Sequence, residues 1–183
     1  LYSNTINVLE GKRAPMDPES LKNSFMDLQI EGVTDQELRA HLDQVPIRYF
    51  SHSGREEVAL HVEMVHQYIT SGEKVGTPIM NWRNDVRRTL TVIDIVTPDQ
   101  VGLFEKITGA ISISGLNILG ARAVTRKDGL AIDVFYVEVE KSGFVEDEVI
   151  EINNARFCGN CSEQEIQEFY NVPHRAIRPI HHK

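Results

Sequence analysis

The residues of this 183-residue chain whose types and spacing could do chemistry fall in three places. Cys158 and Cys161 enclose Gly159 and Asn160 at the C-x-x-C spacing shared by redox sites and by half of a zinc site. No second C-x-x-C completes a four-thiolate centre, so the pair reads first as two loop cysteines, with metal binding as the sharper alternative. His61 and His66 stand five apart, whereas two imidazoles on one helical face need four, as in H-E-x-x-H, so they read as an ordinary surface pair. The third place is residues 97–118, TPDQVGLFEKITGAISISGLNI, which join two β-branched apolar runs through a helix. Gly102 sits in the first turn of that helix, where the backbone can come close to a small ligand, and free N-terminal amides there can hold a carboxylate. Asn117 adds a side-chain donor and acceptor from a second turn. Glycine and asparagine are also what tight loops use in any case, so both readings stand at this point.

The elements that must position these residues follow from periodicity. Asp17 caps a helix with Pro18 at its first position and Leu21, Phe25 and Leu28 on one face, ending at Gly32. Thr34 and Glu37 form a capping box for a second helix that stops before Pro46. Ser53 and Glu56 repeat the device for a third, whose apolar seam is Val58, Val62, Val65 and Ile69. Residues 1–72 therefore read as a helical segment. Residues 73–88, with Gly76, Pro78, Trp82 and the cluster Arg83, Arg87 and Arg88, lack a clean period and read as a connector with a solvated basic face.

At Thr89 the period becomes that of a sheet, which marks a boundary and opens a second domain over residues 89–181. A strand TLTVIDIV leads to the helix carrying Phe104, Ile107, Thr108 and Ile111, with Gly115 after its last turn. LNILGARAVT and LAIDVFYVEV follow as strands joined at an Asp128-Gly129 turn. A second helix is expected over 144–157, a short helical patch over 162–170, and an edge strand over 172–180 broken by Pro173 and Pro179. The order β-α-β-β-α-β predicts an α+β, ferredoxin-like domain. Placing Ile93, Ile95, Ile132 and Val134 against the helices leaves Val92, Phe135, Val137 and Val139 on an open face that needs cover from a partner or from the N-terminal helices.

Composition limits the function classes. A hydrophobic content of 41% with 25% charged residues belongs to a globular chain, no apolar run approaches a membrane span, and a cytoplasmic location is the natural default for two cysteines. The net charge of −8, from 27 acidic against 19 basic residues, repels a phosphate backbone and points away from nucleic acid. The chain begins at Leu1, so it reads as a piece of something longer, and His181, His182 and Lys183 are left out of functional argument as a possible tag remnant.

DQVGLF, followed after a helix by SGLNILGARAVTRKDGLAIDVFYV, resembles an ACT domain, the small regulatory module that senses amino acids, and most of all the ACT domains of the PII uridylyltransferase family of bacterial nitrogen control. The upstream ELRAHLDQVPIRYFSHSGREEVALHVEMV is similar to the helical stretch before the first ACT domain in that family. Gln100 and Val101 stand where the usual D-R-P-G-L turn carries Arg and Pro. The resemblance implies Asp99, Gln100, Val101, Gly102, Leu103, Asn117 and Ile118 as ligand residues in two facing turns, glutamine as the ligand, and no cofactor. It also implies a homodimer or higher oligomer, and a PII-type signalling protein as a partner through the intact enzyme. There is no G-S followed by D-x-D for a nucleotidyltransferase and no His-Asp doublet for a hydrolase, so no catalytic residue is assigned and the regulatory part of such an enzyme is expected. The competing reading is a structural dimerisation or docking module without a ligand site. It would be exposed by substitutions at Phe135 or Val137 on the open face.

Overall fold

The computed structural model describes residues 17–70, 77–139 and 145. The expected helix over 144–157, the helical patch over 162–170, the edge strand over 172–180 and the C-x-x-C pair lie outside the described residues, Val145 excepted.

Among the described residues four helices come first: α1 (Pro18–Asn23), α2 (Asp35–Gln44), α3 (Ile47–Phe50) and α4 (Arg55–Thr70). Asp17 caps α1 by accepting from the Ser20 amide at 3.1 Å, and the helix ends sooner than Gly32, passing through turns at residues 24–27. The capping box of α2 is complete: the Glu37 carboxylate accepts from the Thr34 amide at 2.8 Å and the Thr34 hydroxyl accepts from the Glu37 amide at 3.2 Å. Those contacts, with His66 beside them, hold the Glu37 carboxyl down at about 2. Pro46 ends α2 and starts the unanticipated α3. On α4 the seam Val58, Val62 and Val65 is buried as expected, together with His61 and Met64, while Ile69 is exposed.

The sheet comprises β1 (Ile79–Asp85), β2 (Leu90–Pro98), β3 (Leu116–Thr125) and β4 (Leu130–Val139), with α5 (Leu103–Ile113) between β2 and β3. The spatial order is β1-β2-β4-β3, and every neighbouring pair is antiparallel. The β-α-β-β unit expected from the sequence is present as β2-α5-β3-β4, an α+β arrangement compatible with a ferredoxin-like plan. β1 is a difference. It falls in the stretch read as a connector and pairs along β2, Met80 opposite Ile95 and Trp82 opposite Ile93. Its residues are mostly half-buried, as suits an edge strand, and that is why no clean alternation shows in the sequence.

Which side chains share a face also differs from expectation. Ile93 lies opposite Phe135 and Ile95 opposite Asp133, so Phe135 and Val137 point toward α5 with Leu103, Ile107 and Ile111. Ile132 lies with Val96 and Leu130 on the other face, packed against Leu38, Leu42, Val58 and Val62 of the N-terminal helices; Val134 and Val92 extend that side. The parity of β4 is therefore one residue off the expectation, and Phe135 and Val137, both fully buried, form no open face. The physical reason is that β2 and β4 are covered on both sides, which leaves near-continuous apolar runs with no alternation to read. The face opposite α5 is covered by α2 and α4, one of the two forms of cover the sequence called for.

Candidate functional site

The turn from β2 into α5 is fixed by backbone contacts. The Asp99 amide donates to the Gly129 carbonyl at 2.8 Å, the Leu103 amide to Gln100 at 3.0 Å and the Lys106 amide to Gly102 at 3.0 Å. Gly102 is the N-cap with φ of +76°, a left-handed conformation that glycine adopts without strain, and no side chain caps the helix. With the Leu103 amide engaged by Gln100, the Phe104 and Glu105 amides are the first-turn donors without a side-chain cap among the described residues. The turn borders a cavity of about 190 Å³ lined by Asp99, Gln100, Gly102, Glu105, Thr125 and Asp133 together with Leu103 and Phe104. Thr125 donates to Asp99 Oδ2 at 3.0 Å, and Phe104 stacks on Phe135 with ring centroids 5.6 Å apart.

Asp133 is the residue that sequence reasoning missed. It is 3% exposed, and no hydrogen bond or ion pair reaches its carboxylate from the described residues. Burial first, and the Asp99 charge second, push its carboxyl up to about 6. The sequence signal was an aspartate inside a β-branched strand, which a core position tolerates only with a partner or a role.

Of the seven expected ligand residues, the chain brings Asp99, Gln100, Gly102 and Leu103 around this cavity. Val101 is 99% exposed at the tip of the turn and does not line it. Asn117 and Ile118 lie at the far end of the sheet, opposite Glu138 and Val137, whereas the cavity end is marked by Thr97 and Thr125 opposite Ala131. Eight residue steps of strand separate Asn117 from Thr125, roughly 25 Å, so the two turns do not face each other within one chain.

On the other face of the sheet a second polar constellation joins the helices to β2. His61, 1% exposed, has Nδ1 2.9 Å from the Tyr49 hydroxyl and Nε2 3.1 Å from Asp94 Oδ1. An Nε2–H tautomer satisfies both contacts. Arg83 donates to the second oxygen of Asp94, and Arg122 donates to Glu57 and, at 2.6 Å, to the His52 carbonyl. Burial drives the Tyr49 hydroxyl far above its ordinary range, so it stays protonated. Glu57, His61 and Asp94 offer ligand atoms within 4.8 Å of one another. Each carboxylate is nevertheless held by an arginine and both His61 nitrogens are engaged, so the cluster is a filled lock between layers rather than a vacant metal centre. His61 is therefore no surface residue. Its place between Val58 and Val65 on the buried stripe was the available signal. Arg83 pairs with Asp94 while its side chain stays exposed, as expected of the basic cluster, and Arg88 sits near Asp85 at 3.6 Å.

His41, buried beside Arg126 at 2.8 Å, is held well below its usual range by burial and by that guanidinium, so it is neutral. Arg126 in turn donates from Nε and Nη2 to Asp128 at 3.0 and 2.7 Å, which ties α2 to the β3–β4 turn.

The fold and these two regions define an α+β module with helices on both faces of an antiparallel sheet, and no helix of the described residues is long and apolar enough to cross a membrane. The chain resembles, more particularly, the C-terminal part of the bifunctional uridylyltransferase/uridylyl-removing enzyme. It is 29% identical over 143 residues to that enzyme of Gluconobacter oxydans, covering 75% of this chain and 15% of the relative. Against the Rhodospirillum rubrum enzyme it is 33% identical over 88 residues, 48% of this chain and 9% of the relative. The Phenylobacterium zucineum enzyme matches at 28% over 145 residues, 75% and 15%. The chain thus spans about 15% of the length of the Gluconobacter oxydans and Phenylobacterium zucineum enzymes. No family model matches it.

Proposed function

We propose that this chain is an ACT-type regulatory module of a uridylyltransferase-like protein, that it senses a free amino acid, glutamine foremost, and that binding changes how the module packs on neighbouring domains. The observation that carries this reading is the N-terminus of α5 at Gly102, without a side-chain cap, bordering a carboxylate-bearing cavity of about 190 Å³ at the D-x-x-G-L turn that the resemblance singles out. Amides there suit a carboxylate, and the cavity walls suit the polar remainder of an amino acid. Pairing belongs to the same reading: Asn117 and Ile118 are roughly 25 Å from the first turn, so a site using both turns needs the second turn of another copy or domain. A PII-type signalling protein would then be met through the intact enzyme, in the cytoplasm.

The test is a thermal shift against a panel of amino acids. Glutamine should raise the melting temperature saturably, and Gly102→Val should abolish the rise. A folded protein that responds to no amino acid overturns ligand sensing and leaves a docking module. Sedimentation at micromolar concentration should show at least a dimer, and a strictly monomeric profile would remove the pairing.

A further inference from the structure

The cavity at the start of α5 is lined by three carboxylates, Asp99, Glu105 and Asp133, and by no lysine, arginine or histidine among the described residues. Asp133 forms its floor from β4, is nine-tenths buried and more, and has no partner among the described residues. Its carboxyl is presented to the cavity rather than tied up within the chain. The side-chain set among the described residues whose ligand atoms converge within 4.8 Å is Glu57, His61 and Asp94, on the other face. The three acids here are thus too spread for one small metal ion, and a cationic group on an organic ligand fits them better.

We infer that Asp133, with Asp99 beside it, receives the ammonium group of a zwitterionic ligand whose carboxylate is held by the first-turn amides of α5. This rests on the amino-acid-sensing reading and deepens it: the site selects a free α-amino acid and rejects the same molecule without its amino group. The N-terminal turn of α5 and the Asp133 carboxylate line one cavity, and a molecule with both charges can satisfy both. Asp133 is then a specificity-determining residue. Thr125, by donating to Asp99 Oδ2 at 3.0 Å, orients the second acid.

The experiment is calorimetric titration of the full 183-residue chain with three probes: glutamine, 4-carbamoylbutanoate, which lacks the ammonium, and 4-aminobutanamide, which lacks the carboxylate. Wild-type protein should prefer glutamine to 4-carbamoylbutanoate by at least tenfold. Asp133→Asn should weaken glutamine by about tenfold while leaving 4-carbamoylbutanoate unchanged or improved, so that the preference collapses. Asp99→Asn should reduce the preference by a smaller factor, and thermal melts of both variants confirm that they fold. If Asp133→Asn weakens both carboxylate-bearing probes equally, or neither, the inference is overturned while amino-acid sensing stands. If 4-aminobutanamide binds through Asp133 and glutamine does not, the ammonium site stands and the amino-acid reading falls. If no ammonium-bearing probe binds the folded wild type, both fall.

Discussion

Two aspartates are buried in adjacent strands of one sheet, Asp94 on β2 and Asp133 on β4, and they face opposite layers. Asp94 is completely enclosed, yet it accepts from His61 and from Arg83, and His61 is itself held by Tyr49. Asp133 is buried too, at the wall of a cavity, and its carboxylate has none of this among the described residues. Removing a carboxylate from water carries a penalty of several kcal/mol, which surrounding donors offset only when the geometry is good. On the α4 side that offset is supplied within the chain, which leaves nothing over to bind a ligand. On the α5 side the offset is missing and a cavity stands in its place. The same residue type in the same sheet thus serves as a fastener on one face and as a recognition group on the other, and the difference lies in which partners the opposing helix brings.

The largest effect should come from breaking the fastener. Asp94→Ala leaves His61 Nε2 without an acceptor inside the core and frees Arg83, and a loss of about 3 to 5 kcal/mol in urea denaturation is expected. A loss under about 1 kcal/mol would mean that the lock contributes little and that the two aspartates are not opposites.

Asp133→Asn should act with the opposite sign. Its carboxyl is raised in the folded chain to about 6 from 3.8, so the stability it contributes is fully present below the unfolded value and is lost as pH rises through the folded one. At pH 7 the ionised group therefore burdens the fold by roughly 2 to 3 kcal/mol, and the asparagine variant should be the more stable by about that amount. The gap should close as pH falls from 7 to 4, because the wild type gains stability over that window and the variant does not. Parallel melts across the pH series measure it. A gap independent of pH would show that Asp133 is not titrating in the window and would remove the contrast with Asp94.

Much of the architecture was legible in the sequence, for reasons that are local. The Thr34–Glu37 box announces α2 because its two hydrogen bonds lie within four residues, and β3 and β4 are bounded by turn residues whose φ values only glycine carries easily, Gly115 at +76° and Gly129 at +83°. What failed to show is non-local. His61 finds Asp94 33 residues away, and the parity of β4 is set by pairing with β2 across residues that are apolar on both sides. β1 is stabilised as an edge strand by its neighbour rather than by its own pattern. Of the candidate site, the turn at Asp99 to Leu103 was readable as chemistry next to a glycine, whereas Asp133 joins it only through tertiary structure, and Asn117 looked adjacent because a helix brings two turns close in sequence but not in space.

The smallest effects should sharpen the comparison most, because they can be matched in size. Tyr49→Phe removes the hydroxyl that faces His61 Nδ1 at 2.9 Å and leaves that nitrogen buried without a donor, for a loss of about 1 to 2 kcal/mol. Gly102→Ala meets no heavy atom within 4 Å, so its penalty is purely that of placing an alanine at φ of +76°, about 1 to 2 kcal/mol as well. Two variants of similar stability then differ in one respect. The tyrosine change lies in the fastener and should leave the glutamine-induced thermal shift at its wild-type size. The glycine change reshapes the turn that presents the α5 amides and should shrink that shift by half or more. If both variants lose the shift together, stability alone governs the response and the two faces are coupled; if both keep it, the turn at Gly102 has no part in recognition. A loss confined to Gly102→Ala separates the two faces by function, with the stabilities held equal.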